Sequence, residues 1–332
     1  MTLKDPSKLG RRTFLQTGAV AGLSALVGPR LAHAASSPVH VAHDPAMTSG
    51  LGYDKVNLSL VQAAVDGCVK ALTGKASVGE AYKSIFVGID PNKKIAVKLN
   101  NIKHLDHPVN FAVVRALVNG LLSMSFSGAG YPAKNISFFD NDWGGIANKC
   151  KSALGYQQHI APLGVVLDDP GTWFGGPSFT VKGTAKYACT YLDAADYGVS
   201  IAPLRYHKDR CDLTGCIKNM MGAVSSSTGS YTGGSDFHDN PGWQSFKYLW
   251  SNYIAKNSKL QLYIVEALFA HRWDSANHLA AVNRVIVGTD PCAVDAYGAA
   301  VLQSYGGLGG GEKALPLALE QASFGNSTYI VN

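Results

Sequence analysis

Eight residues in the middle and end of the chain carry side chains suited to chemistry on anions, metals or protons: Lys98, Asn100, Arg205, His207, Lys218, Asn219, His238 and Asp295. Lysine and arginine hold carboxylates and phosphates, and a buried lysine sheds its proton readily enough to serve as a base or nucleophile. The imidazoles of His207 and His238 suit metal ligation or general acid and base work. Lys218 and Asn219 follow His207 by eleven and twelve residues, and His238 lies twenty beyond Lys218. If these segments converge, Lys98, Asn100, Arg205 and Asn219 bind a cofactor or an anionic ligand. Lys218, His207, His238 and Asp295 are then the catalytic set, with His207 and His238 also the candidate metal ligands.

Each residue also has a plainer use. Lys98 in an apolar strand can be ion-paired or snorkelling. His207 alone fits a hydrogen-bonded histidine, and Lys218 with Asn219 fits a helix surface. His238 leaves a Gly- and Ser-rich stretch, Ser225 to Ser235, and can be solvated there; the same stretch could close over a ligand. Asp290 before Pro291 reads as a helix cap. Asp295 is harder to dismiss, because a carboxylate buried in an apolar helix demands a partner. His104 and His107 are three apart, yet His107 before Pro108 reads as a helix boundary rather than half of a metal pair.

The common catalytic templates are absent. The chain has no H-E-x-x-H, no P-loop and no G-x-S-x-G elbow. Gly128-Ala129-Gly130-Tyr131-Pro132-Ala133 spells a dinucleotide fingerprint, but it follows a helix and precedes a strand, the wrong order for a pyrophosphate on a helix N-terminus. It reads as a helix stop.

The elements that must position these residues alternate between two periods. Val56 to Leu72 and Pro108 to Leu122 read as helices, a short helix lies near Ile146 to Leu154, and Cys292 to Leu302 closes the series. Strands are expected at Ile95–Leu99, Ile136–Phe139, Val165–Leu167, Phe179–Val181, Tyr187–Leu192, Val199–Ala202, Gln261–Glu266 and Val285–Val287. This alternation predicts an α/β fold, a mostly parallel or mixed sheet covered by helices, with room for a small inserted subdomain among the central strands. In such a sheet the carboxyl ends of the strands line the ligand crevice, where the candidate residues sit.

The beginning of the chain carries an address. Arg11-Arg12-Thr13-Phe14-Leu15, a short apolar run from Thr17 to Gly28 and Ala32-His33-Ala34 look like a twin-arginine export signal with a cleavage site. The run is too short to span a bilayer. The expected organisation is a cleaved signal at 1–34 and a single α/β domain at 35–332, periplasmic or extracellular, exported folded. The translocase is then a partner during export, and no membrane anchor remains after cleavage. Of the formal +6 charge, the signal carries +4, through Lys4, Lys8, Arg11, Arg12 and Arg30 against Asp5, leaving the mature chain near +2. No basic cluster of the kind nucleic acid requires remains.

Six cysteines are present, and Cys211 and Cys216 have four residues between them. They suit a loop disulfide, two buried thiols or two metal ligands. No ferredoxin-type C-x-x-C run exists to hold a cluster.

Several segments resemble a widespread, uncharacterised family of twin-arginine-exported, iron–sulfur-centre-like proteins of unknown function. The matching pieces are Val97-Lys98-Leu99-Asn100, Pro203-Leu204-Arg205-Tyr206-His207, Leu213 to Gly222, His238 and Gly288 to Asp295. Leu99 stands where the family usually has Pro, Arg205 where it has Lys, and Glu266 where it has Asp. Many members also carry a ferredoxin segment that this chain lacks. The order His207, Lys218, His238 is also similar to the His…Lys…His succession of nickel-pincer lactate racemases. That resemblance implies a lysine-tethered pyridinium cofactor with a histidine on nickel. Here Leu213-Thr214-Gly215-Cys216-Ile217 replaces the glycine-rich approach to that lysine.

Two functions follow as expectations. One is a periplasmic enzyme, dependent on a metal or an organic cofactor, acting on a small anionic substrate. The other is a non-catalytic binding or assembly partner of exported redox proteins.

Overall fold

The run Ile95-Ala96-Val97-Lys98 is buried at every position, as a strand covered on both faces must be. Around it the computed structural model describes residues 36–101, 108–140, 153–167, 174–181, 183–207, 212–227, 237, 244–255, 259–272, 278–305 and 325–332. The strands are β1 (Ser37–His43), β2 (Ile95–Lys98), β3 (Ser125–Phe126), β4 (Ala129–Gly130), β5 (Ile136–Phe139), β6 (Val166–Leu167), β7 (Phe174–Val181), β8 (Thr184–Cys189), β9 (Tyr197–His207), β10 (Asp212–Thr214), β11 (Val224–Ser225), β12 (Leu260–Arg272), β13 (His278–Gly288) and β14 (Tyr329–Val331). The helices are α1 (Leu58–Thr73), α2 (Val78–Ile85), α3 (Phe111–Leu122), α4 (Tyr156–His159), α5 (Thr190–Ala194), α6 (Cys216–Asn219), α7 (Gln244–Leu249) and α8 (Pro291–Ser304).

Side-chain caps mark where the longer helices begin. Asn57 accepts from the amides of Ser59 and Leu60 at the start of α1, Asn110 from Ala112 at α3, and Asp290 from Cys292 and Ala293 at α8. The expected cap at Asp290 is therefore real. Helix α1 stops at Gly74, whose φ of 67° places it in the left-handed region that ends helices.

The main sheet runs β14-β1-β13-β12-β9-β2-β5-β6, with β10 paired to β9. Its heart is parallel: β12, β9, β2, β5 and β6 all point the same way. The chain lays down β2 first and builds outward through β5 to β6. It then returns to place β9 and β12 on the other side of β2. That reversal makes a doubly wound sheet with its switch point between β2 and β9. The last strands depart from the expected alternation, because β12 and β13 form an antiparallel ribbon and β1 pairs antiparallel to β13. Helix α1 lies over the face that includes Val285, where Cys68 reaches its carbonyl. Helix α8 lies over the opposite face, where Gly298 sits against Leu204 and Val265.

The central strands resolve into a second, three-stranded sheet, β11-β8-β7, in keeping with the expected inserted region. The expected strand Tyr187–Leu192 is corrected: β8 ends at Cys189 and α5 begins at Thr190. Gly128 does more than stop a helix. Ser127 and Gly128, with φ of 50° and 89°, form the two-residue turn of the β3–β4 hairpin, a turn that needs positive φ at both positions. No fingerprint loop exists there. Of the helix expected near Ile146 to Leu154, residues 146–152 lie outside the described residues and Ala153 and Leu154 form a turn; the glycine-rich stretches at 228–235 and 306–311 also lie outside them. Among the described residues no helix is long and apolar enough to cross a membrane.

Candidate functional site

Strands β2 and β9 part at the switch point. Their pairing ends at Lys98 opposite Ser200. The next amide on the β2 side, that of Leu99, turns away and donates to Phe139 O at 3.0 Å. Into the gap comes the carboxamide of Asn219. Its Nδ2 donates to Lys98 O at 3.2 Å, to Ile201 O at 3.1 Å and to Ser200 Oγ at 3.1 Å. One side chain therefore replaces the missing rung between the two strands.

Above this wedge sits a buried polar ensemble. Lys98 Nζ bonds Asp140 Oδ1 at 2.5 Å, with both side chains 1% exposed, and also reaches Leu99 O at 2.5 Å and Asn219 Oδ1 at 3.1 Å. Asp140 follows the end of β5, and its second oxygen accepts from the amide of Asn101. Arg205, fully buried on β9, donates from Nη1 to Asn100 Oδ1 at 2.9 Å. Asn100 Nδ2 is 3.4 Å from Asn219 Oδ1.

Glu266, fully buried on β12, accepts from the amides of Asn110 at 3.2 Å and Leu268 at 2.9 Å. Burial pushes its carboxyl up to about 8, against the pull of those amides and of Arg205. Burial also lowers the Arg205 guanidinium to about 10, opposed by Glu266 and Asp140.

Helix α6 supplies Asn219 and Lys218, and both are buried, so they are not the helix surface their spacing allowed. Asp295 on α8 fixes this helix. Its two oxygens accept from Cys216 N at 2.7 Å and Ile217 N at 2.8 Å, and burial raises its carboxyl to about 7. A Cβ at Gly215 would come within 2.4 Å of that carboxyl, so only glycine admits the approach. Among the described residues the partners of Asp295 are these two backbone amides; the histidines it was expected to orient, His207 and His238, have side chains outside the described residues.

Cys216 is a free, buried thiol whose Sγ lies 3.5 Å from Ser200 O and 3.3 Å from Ile264 O. Of the three readings of the pair, this matches the buried thiol and overturns the disulfide for Cys216; Cys211 lies outside the described residues. Cys68, Cys189 and Cys292 are likewise buried and in no disulfide. Burial pushes the thiols of Cys68 and Cys189 up to about 12. Alkylation without reductant should therefore modify all four in the unfolded protein and none within minutes in the native one. Peptide mapping by mass spectrometry checks this, and a disulfide-linked peptide containing Cys216 would contradict it.

The structure thus brings Lys98, Asn100, Arg205 and Asn219 together, with Lys218 beside them on the same helix. His207 ends β9 opposite Asp212 in the backbone register, and its side chain lies outside what is described. His238, His104 and His107 lie outside the described residues as well. Among those that are described, no group of three His, Cys, Asp or Glu is placed to hold a metal.

Sequence reasoning missed Asp140, Asn101, Ser200, Thr214 and His271. His271 is buried and in register with Arg205 across β12 and β9, where pairing resumes five residues after Glu266. Only its place beyond an apolar strand could have suggested it. A hollow of about 300 Å³ lined by Lys94, Asn135, Ser137 and Tyr191 lies near where β2 and β5 begin, the rim opposite the crevice.

These features define a doubly wound α/β protein with a buried, cation-rich polar ensemble at its topological switch point. The chain belongs to the family described as Domain of unknown function (DUF362), whose model matches residues 95–300. No curated protein matches it, and no solved structure does.

Proposed function

We propose that the protein is an enzyme, exported folded to the periplasm, that binds a small anionic substrate at the switch point between β2 and β9. The carrying observation is the convergence of Lys98, Asn100, Arg205 and Asn219 where the two strands separate. In open α/β sheets this is the crevice where ligands bind. Lys98 and Arg205 supply positive charge, Asn100 and Asn219 fix their heads, and Lys218 on α6 adds a third cation. Amines, a guanidinium and amides suit an anion, and the described donor set does not fit a metal ion. Any metal site rests on His207 and His238, and a tethered organic cofactor would rest on Lys218.

The test is to purify the exported protein natively and measure its intact mass and metal content, then replace Lys218 by Ala. Retained small molecule or metal, with biological activity lost and folding kept in Lys218→Ala, is the expected result. A metal-free protein at the plain polypeptide mass, whose Lys218→Ala variant keeps full biological activity, would overturn the proposal and favour a non-catalytic assembly role.

A further inference from the structure

At the end of the sheet away from the crevice, the hollow of about 300 Å³ is lined by Lys94, Lys134, Ser137, Val166, Tyr191 and Ala194 among others. The shortness of β6 leaves room for it. Val166 opens β6 opposite Ser137, so the rung below, Ile136 with Ile95, has no paired strand on the β6 side. Helix α5 supplies a further wall through Tyr191 and Ala194.

Lys94 leads into β2 and Lys134 lies two residues before β5. Asn135 ties these two approaches together, donating from Nδ2 to Pro91 O at 2.7 Å and to Lys93 O at 3.1 Å. The carboxylate beside them, Asp196, is already engaged. Its Oδ1 holds Lys93 Nζ at 2.9 Å, and its Oδ2 accepts from the backbone amide of Lys94 at 2.8 Å. Neither the Lys94 nor the Lys134 ammonium is in an ion pair among the described residues. Ser137 is the half-buried residue of an otherwise buried strand, and its hydroxyl has no hydrogen-bond partner among the described residues.

The hollow therefore joins two cations and a spare hydroxyl to walls made by the Tyr191 ring, Val166 and Ala194. Like charges gathered at a concavity, with no acid set between them, attract an anion. Apolar walls with a few polar groups to fix orientation are the usual make-up of a small-molecule site. We propose that this hollow is a second ligand site, for a small organic anion. Its carboxylate or phosphate lies between Lys94 and Lys134 and accepts from Ser137 Oγ, and its flat apolar body rests on Tyr191 and Val166. The site is separate from the switch point and does not depend on it.

The test titrates the purified full protein by calorimetry with benzoate and, separately, with phenyl phosphate; the tighter of the two distinguishes carboxylate from phosphate. At least one should bind with a Kd of about 1 mM or below, and inorganic phosphate and benzyl alcohol about tenfold more weakly. Lys134→Glu reverses one charge at an exposed position and should weaken binding about tenfold or more. Ala194→Trp fills the hollow from an exposed position on α5 and should abolish binding. Tm of both free variants should stay within about 2 °C of wild type, as expected for surface substitutions. If Ala194→Trp does not fold, Lys134→Glu decides alone. Wild-type affinity in either folded variant would place the anion elsewhere and overturn the proposal. So would inorganic phosphate binding as tightly as the aromatic probes, or no binding of either probe at about 10 mM.

Discussion

Lys98→Met is expected to destabilise the protein by about 3–5 kcal/mol, the penalty for leaving one charge of a buried pair without its partner. The Lys98–Asp140 contact is enclosed, so solvent cannot take over from the lost ammonium. Asp140 would lose its ammonium partner while still accepting from the amide of Asn101. Asp140→Asn should cost less, because an amide oxygen can still accept from Lys98 Nζ. The double variant Lys98→Met/Asp140→Leu should recover much of the loss, since well-packed apolar pairs often match buried ion pairs in stability. Denaturant unfolding of the three variants measures this. If both single variants lie within about 1 kcal/mol of wild type, the pair is not the enclosed contact described.

Stability is expected to fall as pH rises from about 6.5 to 8.5, and Glu266→Gln should flatten that fall. Burial raises the Glu266 carboxyl from 4.5 to about 8 and the Asp295 carboxyl from 3.8 to about 7. The folded protein therefore holds protons that the unfolded chain has released, so raising pH through the folded values favours unfolding. The slope is at most about 1.4 kcal/mol per pH unit for each such group. Two histidines act the other way at lower pH: the buried His40 and the exposed His43 are both lowered below 6.5, which adds stability as pH rises towards that value. Above it the two carboxyls dominate. The measurement is the urea midpoint across this range for wild type and Glu266→Gln. A midpoint that rises with pH, or an unchanged slope in the variant, would show that Glu266 is ionised in the fold.

How much of this was legible in the residues differs by element. The strands at Ile95 and Ile136 and the helices at Leu58, Phe111 and Pro291 announce themselves, because a buried apolar run or a capped amphipathic stretch has few alternative conformations. Strand β1 and helix α2 were not read. Ser37–His43 mixes polar and apolar residues, and Val78–Ile85 is only eight residues long.

For the site, Lys98, Asn100, Arg205 and Asn219 were found from their positions at the ends of expected elements. Asp140 was not, since nothing local separates it from a turn aspartate after a strand; its role depends on Lys98, forty-two residues earlier. Asp295 was singled out for the right reason, the need of a buried carboxylate for a partner. The partner itself was missed, because two backbone amides leave no mark in the sequence except the glycine beside them.

The Asn219 wedge ties the order of synthesis to the shape of the molecule. Strands β2 and β5 are complete by residue 139, but the opening between β2 and β9 is propped by a carboxamide that arrives eighty residues later, on a helix whose first amides await residue 295. A nascent chain that stopped short of α8 would own most of the sheet and no finished crevice. Such far-reaching contacts form late in folding. Truncated or partly made copies would therefore be poor competitors for whatever the complete protein binds.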